Sequence, residues 1–182
     1  MTDERLETYR RGLLAWNAKI NLIGPEAKAN LEDHIAEALE AAQILLPAGD
    51  VLDFGSGGGL PAIPMALASP NARFHLVEAD QKKWAFLKHV VRECRLNSVV
   101  YGDRLDRALT RFPSDLRFSL VISRAVGNPK EWLPSLVPWM AAEARAALFQ
   151  SAPDSPAIHH FRKQTAYPLR RGFLVVFHVE QA

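Results

Sequence analysis

Hydrophobic residues in the first part of the chain recur at the spacing of an α-helix. Tyr9 and Leu13 fall on one face of the first run. A break at Gly24 and Pro25 separates this run from a second one, which continues to Leu46. Glycine followed by proline is a common helix boundary. The pattern therefore predicts an N-terminal segment of helices.

After this segment, short apolar runs alternate with amphipathic stretches. The apolar runs predict strands near 50–54, 73–78, 98–101, 117–123 and 145–150. The amphipathic stretches predict helices near 59–68, 81–95, 104–111 and 130–140. Regular alternation of strands and helices is typical of a mostly parallel, doubly wound sheet.

The last thirty residues follow a different pattern. A short helix is expected near 155–163, followed by two β-prone runs at 165–169 and 173–179, with a turn at 170–172. Such a pair forms an antiparallel hairpin at a sheet edge. The prediction is one α/β domain over 1–182 with a Rossmann-like sheet of about seven strands. It divides into a helical cap, 1–48, and a core, 49–182.

Composition agrees with a single globular domain. The chain has 182 residues, of which 48% are hydrophobic and 23% are charged, which excludes a disordered chain. Apolar runs are interrupted well before the length of a membrane span, and the charged N-terminus lacks the apolar run of a secretory signal. The single cysteine, Cys94, excludes an internal disulfide. These features favour a cytoplasmic protein.

Charge is distributed unevenly along the chain. Residues 1–50 contain 5 basic and 9 acidic side chains, whereas residues 51–182 contain 17 basic and 11 acidic ones. Arginine outnumbers lysine 15 to 7, and arginine is favoured where phosphate is held by two hydrogen bonds. This excess fits a nucleic-acid partner, but ordinary surface solubility explains it equally well.

A glycine-rich loop is the most informative segment. VLDFGSGGGLPAIP, residues 51–64, reads as a buried strand end, alternating Gly55, Gly57 and Gly59, and a helix start. The loop lacks the Gly-Lys-Ser/Thr of a phosphate P-loop, and Leu60 replaces the last glycine of the dinucleotide pattern. The remaining D-x-G-x-G-x-G, with Asp53 in front, resembles the first motif of S-adenosylmethionine-dependent methyltransferases. A purely structural turn is the alternative.

An acidic residue follows at the spacing that a nucleoside cofactor requires. Glu78 ends the next predicted strand, 23 residues after Gly55, where a carboxylate accepts hydrogen bonds from two ribose hydroxyls. Asp80 is the second candidate for this role. A solvated loop carboxylate is the structural alternative.

Several phrases together match one family. They are WNAKINL (16–22), DHIAEAL (33–39), LDFGSGGGLPAIP (52–64), EADQKKWAFL (78–87), GDRLD (102–106) and SRAV (123–126). In these phrases and their order, the chain resembles the small-subunit (16S) ribosomal RNA (guanine-7)-methyltransferases, also called glucose-inhibited division protein B. The resemblance implies a seven-stranded sheet with a helical cap, S-adenosylmethionine as cofactor, and methylation of nitrogen 7 of one guanine in ribosomal RNA.

The glycine loop, the acidic residue and the resemblance together select the expected site residues. Cofactor binding is expected of Gly55, Ser56, Gly57, Gly59, Leu60, Glu78, Leu105, Asp106 and Arg124. The resemblance places the catalytic residues Arg124 and Lys82 at the reaction cleft. It implies RNA contacts by Lys82, Arg104, Arg124 and His34. Asp103 reads as a one-residue insertion, which leaves the register around Arg104 open.

The chain also departs from the family pattern. Glu37 and Ala38 replace the usual Asp-Ser after the histidine, Ala62 replaces a glycine, and the late strand reads LFQSAPDS without the usual Lys-Gly. These changes leave the target base open. Two alternatives therefore stand: a methyltransferase of this fold with a small-molecule or protein acceptor, and a non-catalytic RNA- or cofactor-binding member.

The expected chemistry makes few demands on side chains. Nitrogen 7 of guanine has a lone pair and no proton, so the attack on the methyl group needs no general base. Proximity and orientation then supply the catalysis. His159 and His160 lack a third ligand at metal spacing, so no metal is expected. Trp132 and Trp139 either stack on a base or pack in the core. The expected partner is ribosomal RNA or the ribosomal subunit, bound by a monomer without a membrane.

Overall fold

Seven strands form one sheet in the computed structural model, which describes residues 4–155 and 157–180. The strands are β1 (Gly49–Phe54), β2 (Ala72–Val77), β3 (Ser98–Tyr101), β4 (Phe118–Arg124), β5 (Met140–Gln150), β6 (Phe161–Leu169) and β7 (Gly172–Val179). Their order across the sheet is β3-β2-β1-β4-β5-β7-β6. β1 to β5 are parallel, and β7 pairs antiparallel with both β5 and β6.

Helices cover both faces of this sheet. They are α1 (Glu4–Asn17), α2 (Pro25–Ala29), α3 (Leu31–Leu45), α4 (Ala62–Ala68), α5 (Gln81–Glu93), α6 (Leu105–Leu109) and α7 (Pro129–Trp132), which continues as a 3-10 helix (Leu133–Trp139). In the described part of the chain, no helix is long and apolar enough to span a membrane.

Two hydrophobic clusters fill the spaces between the sheet and its helices. On one face, α1, α3, α4 and α5 pack against inward residues such as Val51 and Phe74. On the other face, α6 and the 3-10 helix pack against residues such as Leu52 and Val121. Because alternate residues of a strand point to opposite faces, the central strands contribute apolar side chains to both clusters. The N-terminal helices thus share one core with the sheet.

The predicted elements of the parallel sheet are confirmed. Each expected strand and helix between residues 49 and 139 is present, and Leu46 ends α3 in the left-handed region, with a φ of 48°. β5 begins at Met140, five residues earlier than expected. The segment after β4 is one α-helical turn followed by a 3-10 helix that contains Pro138, because proline interrupts α-helical hydrogen bonding.

The helix expected near 155–163 is wrong. Ile158 forms a bridge with Phe161, where β6 begins, and both side chains are buried. From Phe161 to Leu169 the chain pairs with β7, so cross-strand hydrogen bonds and burial override the local helical pattern. The expected antiparallel hairpin is confirmed and is longer than predicted, with its turn at Arg170 and Arg171.

Candidate active site

A cleft of about 640 Å³ opens at the carboxyl ends of the parallel strands. Phe54 and Gly55 follow β1 into it, Glu78 follows β2, and Leu105 comes from the segment after β3. Val126, two residues past β4, closes the far side. In open α/β sheets, ligands bind outside the carboxyl ends of the strands. This cleft is therefore the expected ligand site.

The glycine loop connects β1 to α4 and turns tightly beside the end of β2. The backbone N–H groups of Gly55 and Ser56 both donate to the carbonyl of Val77, at 3.0 and 3.1 Å. Gly55 has a φ of 76°, and a Cβ at this position would overlap the side chain of Val126. Glycine is required here both for the backbone conformation and for the close approach of the loop after β4.

Gly57 faces open space at the lip of the loop. Its φ is 54°, and a Cβ added here would meet nothing nearer than the Gly55 carbonyl oxygen, at 3.8 Å. Its N–H donates to Oε2 of Glu78 at 2.8 Å. A side chain at residue 57 would therefore project into open space beside Glu78 without disturbing the packing of the loop.

Glu78 connects the loop to the start of α5. Its second oxygen, Oε1, accepts a hydrogen bond from the N–H of Asp80 at 2.8 Å. A carboxylate has about four acceptor positions, so each oxygen retains one for a ligand hydroxyl. Asp80 has a different role, because its Oδ1 accepts from the N–H groups of Lys82 and Lys83 and caps α5. These two hydrogen bonds lower the pKa of Asp80.

A buried carboxyl group lies beneath the loop. Asp53, at the end of β1, is 1% exposed, and its Oδ2 has no hydrogen-bond partner among the described residues. Burial raises the pKa of Asp53 to about 7, Ser56 opposes this shift by hydrogen bonding, and Glu78 adds to it by repulsion. A buried carboxyl group with one oxygen free of hydrogen bonds favours a cationic ligand nearby.

The N-terminal helix holds the loop from behind. The hydroxyl of Tyr9 in α1 donates to the carbonyl of Gly58 at 2.8 Å, and the tyrosine is fully buried. A Cβ at Gly58 would lie 3.1 Å from Leu13 of the same helix. The helical segment thus fixes the shape of the loop in addition to covering the sheet.

A second pocket, of about 470 Å³, adjoins the cleft at the carboxyl ends of β4 and β5. Val126 and Trp132 line both cavities, so the two are neighbours along the sheet edge. The indole of Trp132 lies 4.7 Å from the ring of Phe54 and donates to the carbonyl of Val126 at 3.3 Å. Gln150, the last residue of β5, and Asp154, which follows that strand, also line the pocket.

Arg124, the last residue of β4, belongs to a buried network instead of lining the cleft. Its Nη1 lies 2.6 Å from Nδ1 of His34, and its Nη2 donates to Oε2 of Glu37 at 3.2 Å. The other oxygen of Glu37 accepts from the backbone N–H of Arg171 at 2.5 Å. The guanidinium also lies 4.4 Å from the ring centre of Phe149. The network joins the end of β4 to α3 and to the β6–β7 turn.

Comparison with known proteins identifies the family. The family model described as rRNA small subunit methyltransferase G matches residues 2–161. A relative with that name from Helicobacter bizzozeronii is 31% identical over 149 residues, which cover 81% of this chain and 82% of the relative. Another, from Magnetococcus marinus, is 46% identical over 144 residues, which cover 76% of this chain and 61% of the relative. The chain belongs to the rRNA small subunit methyltransferase G family.

Solved structures agree on the fold of this methyltransferase G family member. An O-methyltransferase from Bacillus cereus, described in complex with SAH, superimposes with a TM-score of 0.68 and 13% identity, covering 100% of this chain and 92% of its own. The O-methyltransferase TomG from Streptomyces achromogenes, described in complex with SAM, gives 0.67 and 15% identity with the same coverage. The predicted Rossmann-like methyltransferase fold is confirmed.

The structure brings part of the predicted cofactor set together. Gly55, Glu78, Leu105 and Asp106 all line the 640 Å³ cleft. Three other members of the set, Ser56, Gly59 and Leu60, have different surroundings. Ser56 is buried, and its hydroxyl donates to the backbone carbonyl of Asp53. The N–H of Gly59 donates to the backbone carbonyl of Ser56, and Leu60 packs against the core.

The predicted catalytic and RNA-binding residues lie in separate places. Arg124 and His34 are in contact, beside the 470 Å³ pocket. Lys82 instead lines a groove of about 460 Å³ between the start of α5 and the loop after α1. Arg104 lies at the mouth of the cleft, with its side chain 81% exposed. Asp103 forms an ion pair with Arg111 at 2.6 Å.

Several residues of the site do not stand out in the sequence. Glu37 follows His34 by three residues, and this spacing is the one sequence signal that the two side chains lie on the same face of a helix. Trp132 lines both cavities, whereas Trp139 packs edge-on against Phe112 in the core. Asp53 is the first residue of the glycine motif, but its burial is visible only in the structure. Among the described residues, no three His, Cys, Asp or Glu side chains form a metal-binding group.

Proposed function

We propose that this chain transfers a methyl group from S-adenosylmethionine to nitrogen 7 of a guanine in small-subunit ribosomal RNA. One observation supports this most strongly: in a chain of the methyltransferase G family, Gly55 of the glycine loop and Glu78 border the same 640 Å³ cleft at the carboxyl edge of the sheet. The family makes the chain a methyltransferase that modifies ribosomal RNA, and S-adenosylmethionine is the methyl donor.

The residues of the cleft fit this donor. Glu78 would accept from the ribose hydroxyls with the lone pairs that its two backbone hydrogen bonds leave unused. The open space at Gly57 admits a ligand against the backbone. Asp53, buried next to the loop with its Oδ2 free of hydrogen bonds from the described residues, gives this region a negative potential that suits a ligand with an ammonium and a sulfonium. When bound, the cofactor supplies a methyl group on a positively charged sulfur.

The acceptor end of the site requires positioning more than proton transfer. Nitrogen 7 attacks with its lone pair, so the protein has no proton to remove. Arg124 is held by Glu37, His34 and Phe149, and we assign it to orienting the end of β4 and the base beside it. A group that fixes the reacting atoms in place contributes through proximity and orientation.

Exposed basic residues would contact the RNA backbone. Arg104 at the mouth of the cleft and Lys82 in the neighbouring groove are both exposed. Lysine and arginine supply most phosphate contacts in such complexes. Arg124 and His34 would act from within their network, with His34 transmitting contacts of the helical segment to Arg124. We further propose that the protein acts in the cytoplasm as a monomer, without a metal ion.

The direct test is methyl transfer to small-subunit ribosomal RNA from a strain that lacks this enzyme. Purified protein and radiolabelled S-adenosylmethionine should label that RNA, and chain cleavage specific for 7-methylguanosine should locate one position. RNA from the parent strain, already modified, is the control and should accept little label. Labelling only of small molecules or proteins would favour the alternative acceptor class. Cofactor binding without any transfer would favour a non-catalytic member.

A further inference from the structure

The 470 Å³ pocket at the ends of β4 and β5 has an unusual charge for an RNA enzyme. Among its described lining residues, Asp154 is the one charged side chain, and it is negative. Asp154 is exposed and makes no ion pair or side-chain hydrogen bond within the described part of the chain. An acidic group here repels phosphate, so the pocket is unsuited to the RNA backbone.

We propose that Asp154 is a specificity-determining residue that recognises the acceptor guanine in this pocket. The proposal rests on the proposed function, because it names the residue that selects the base for the same transfer. The Watson–Crick edge of guanine presents two adjacent donors, N1–H and the 2-amino group. A carboxylate presents two adjacent acceptors, so the two edges can form a pair of parallel charge-assisted hydrogen bonds. Adenine has no donor at N1 and cannot form this pair.

An aromatic ring in the same pocket suits the face of a base. Trp132 lines it, and its ring is kept in place by contact with Phe54 and by the hydrogen bond to Val126. Unpaired RNA bases are commonly stacked on aromatic side chains and read along their Watson–Crick edges. Trp132 also borders the donor cleft. A base stacked on it lies next to the cavity that holds the cofactor.

The charge of Asp154 also matches the chemistry of the transfer. The lone pair of nitrogen 7 forms the new bond to carbon, and the sulfur keeps the electrons of the bond that breaks. The positive charge therefore passes from sulfur to the guanine ring, and no proton moves. A carboxylate on the far edge of the ring and an indole against its face both stabilise that cation.

The neighbouring residues do not offer the same selectivity. Gln150 lines the same pocket, but its amide both donates and accepts, so it does not discriminate between the edges of guanine and adenine. Arg124 lies in the adjoining cavity, and its charge is balanced by Glu37. Asp154 is thus the lining residue whose hydrogen-bonding capacity and charge both fit guanine.

The test combines one substitution with one altered base. Once the modified position is known, the ribosomal RNA is prepared with guanosine or inosine there; inosine keeps nitrogen 7 and N1–H but lacks the 2-amino group. Single-turnover rates are measured for the wild type, for Asp154→Asn and for Asp115→Asn, an exposed loop aspartate used as the control. Cofactor affinity is measured for the same three proteins.

We expect the wild type and Asp115→Asn to methylate the inosine RNA about tenfold to a hundredfold more slowly than the guanosine RNA. Asp154→Asn should be slow on guanosine RNA by a similar factor, discriminate little between the two RNAs, and keep its cofactor affinity. If Asp154→Asn methylates at the wild-type rate, or prefers guanosine as strongly as the wild type, the assignment of Asp154 is wrong while the proposed function stands. If the wild type methylates neither RNA, the proposed function is wrong and the assignment of Asp154 with it.

Discussion

The two halves of the carboxyl edge are built in different ways. The 640 Å³ cleft with the glycine loop and Glu78, named the donor half after its proposed role, is defined by contacts in which backbone N–H groups are the donors. The acceptor half is the 470 Å³ pocket with the adjoining Arg124 network. Its contacts join side chains that are far apart in sequence, such as Glu37 with Arg124 and with the backbone of Arg171.

This difference explains how each half responds to sequence change. A site made of backbone groups requires glycines at a few positions and tolerates many neighbours. A site made of side chains requires each partner to be present, because a buried charge left without its partner is costly. Two departures from the family pattern, Glu37 and residues 151–155 after β5, lie in the acceptor half, whereas Ala62 lies at the start of α4, just past the glycine loop. We therefore expect substitutions in the donor half to affect cofactor affinity, and those in the acceptor half to affect transfer and stability.

The largest effect on affinity should follow Gly57→Val in the donor half. The new side chain would occupy the open space beside Glu78, and its branched Cβ is disfavoured at a φ of 54°. We expect the protein to fold and to lose about a hundredfold or more in affinity for S-adenosylmethionine and its demethylated product. Calorimetric titration measures this, with Gly24→Val, in open space before α2, as the matched control. Near-wild-type affinity would show that the cofactor does not lie against this loop.

Arg124→Ala should affect methyl transfer, which depends on the acceptor half, much more than cofactor affinity, which depends on the donor half. We expect methyl transfer to fall by about a hundredfold because an orienting group is lost, while cofactor affinity changes much less. The variant also leaves the buried Glu37 without its guanidinium partner, which costs up to roughly 3–5 kcal/mol of stability. Urea unfolding and single-turnover transfer are measured on the same protein.

The double variant Arg124→Ala/Glu37→Gln tests the origin of each loss. It should recover part of the stability, because the uncompensated charge is gone, without recovering transfer. If transfer returns together with stability, Arg124 acts only as a brace for the fold. If cofactor affinity collapses with transfer, Arg124 belongs to the donor half.

Glu78→Gln should produce a smaller loss of affinity. The two oxygens of Glu78 accept from the N–H groups of Gly57 and Asp80. The amide of glutamine keeps one of these acceptors, loses the other together with the negative charge, and would hold the ribose hydroxyls less well. Hydrogen bonds to charged groups contribute about 1.5–3 kcal/mol, so cofactor affinity should fall about tenfold or more. Asp80→Asn is the control, because Asp80 caps α5. Asp80→Asn should lower the thermal midpoint slightly and leave cofactor affinity unchanged. If Asp80→Asn weakens cofactor binding and Glu78→Gln does not, Asp80 is the carboxylate that binds the ribose.

Asp53→Asn should change the pH dependence of stability. The pKa of Asp53 is about 7 in the folded protein and near its ordinary value when unfolded. Between about pH 4 and 7 the native state holds a proton that the unfolded state lacks, so stability falls as pH rises through this window. The asparagine variant lacks this loss. The free energy of unfolding of Asp53→Asn minus that of the wild type should therefore rise by at most about 4 kcal/mol between pH 4 and pH 8.

Urea unfolding at pH 5, 6, 7 and 8 checks this prediction, with Asp115→Asn as the exposed control. Parallel curves for the wild type and Asp53→Asn would mean that Asp53 is ionised throughout in the folded protein. In the wild type, the cationic cofactor should favour the ionised carboxylate, so its affinity should rise with pH through 7 and depend less on pH in the variant.

The sequence predicted that Gly55, Gly57 and Glu78 come together, because the signals are local. These residues follow two consecutive strands of the parallel sheet, and their role in binding a nucleoside stays a prediction. The same local reasoning predicted a helix near 155–163, where pairing with β7 decides the structure instead. Arg124 lies in a phrase that matches the family, but its partners Glu37 and Arg171 come together only through the fold. Side-chain networks between distant elements leave no periodic signal in a sequence.

The division into two halves is tested most directly by a crystal structure of the protein with S-adenosylhomocysteine. We predict the nucleoside in the 640 Å³ cleft, with the ribose hydroxyls hydrogen bonded to Glu78 and the sulfur facing Val126 and Trp132, toward the 470 Å³ pocket. A nucleoside in the groove lined by Lys82 and Asn17, or a sulfur facing away from Trp132, would show that the two cavities do not have the roles of donor and acceptor halves.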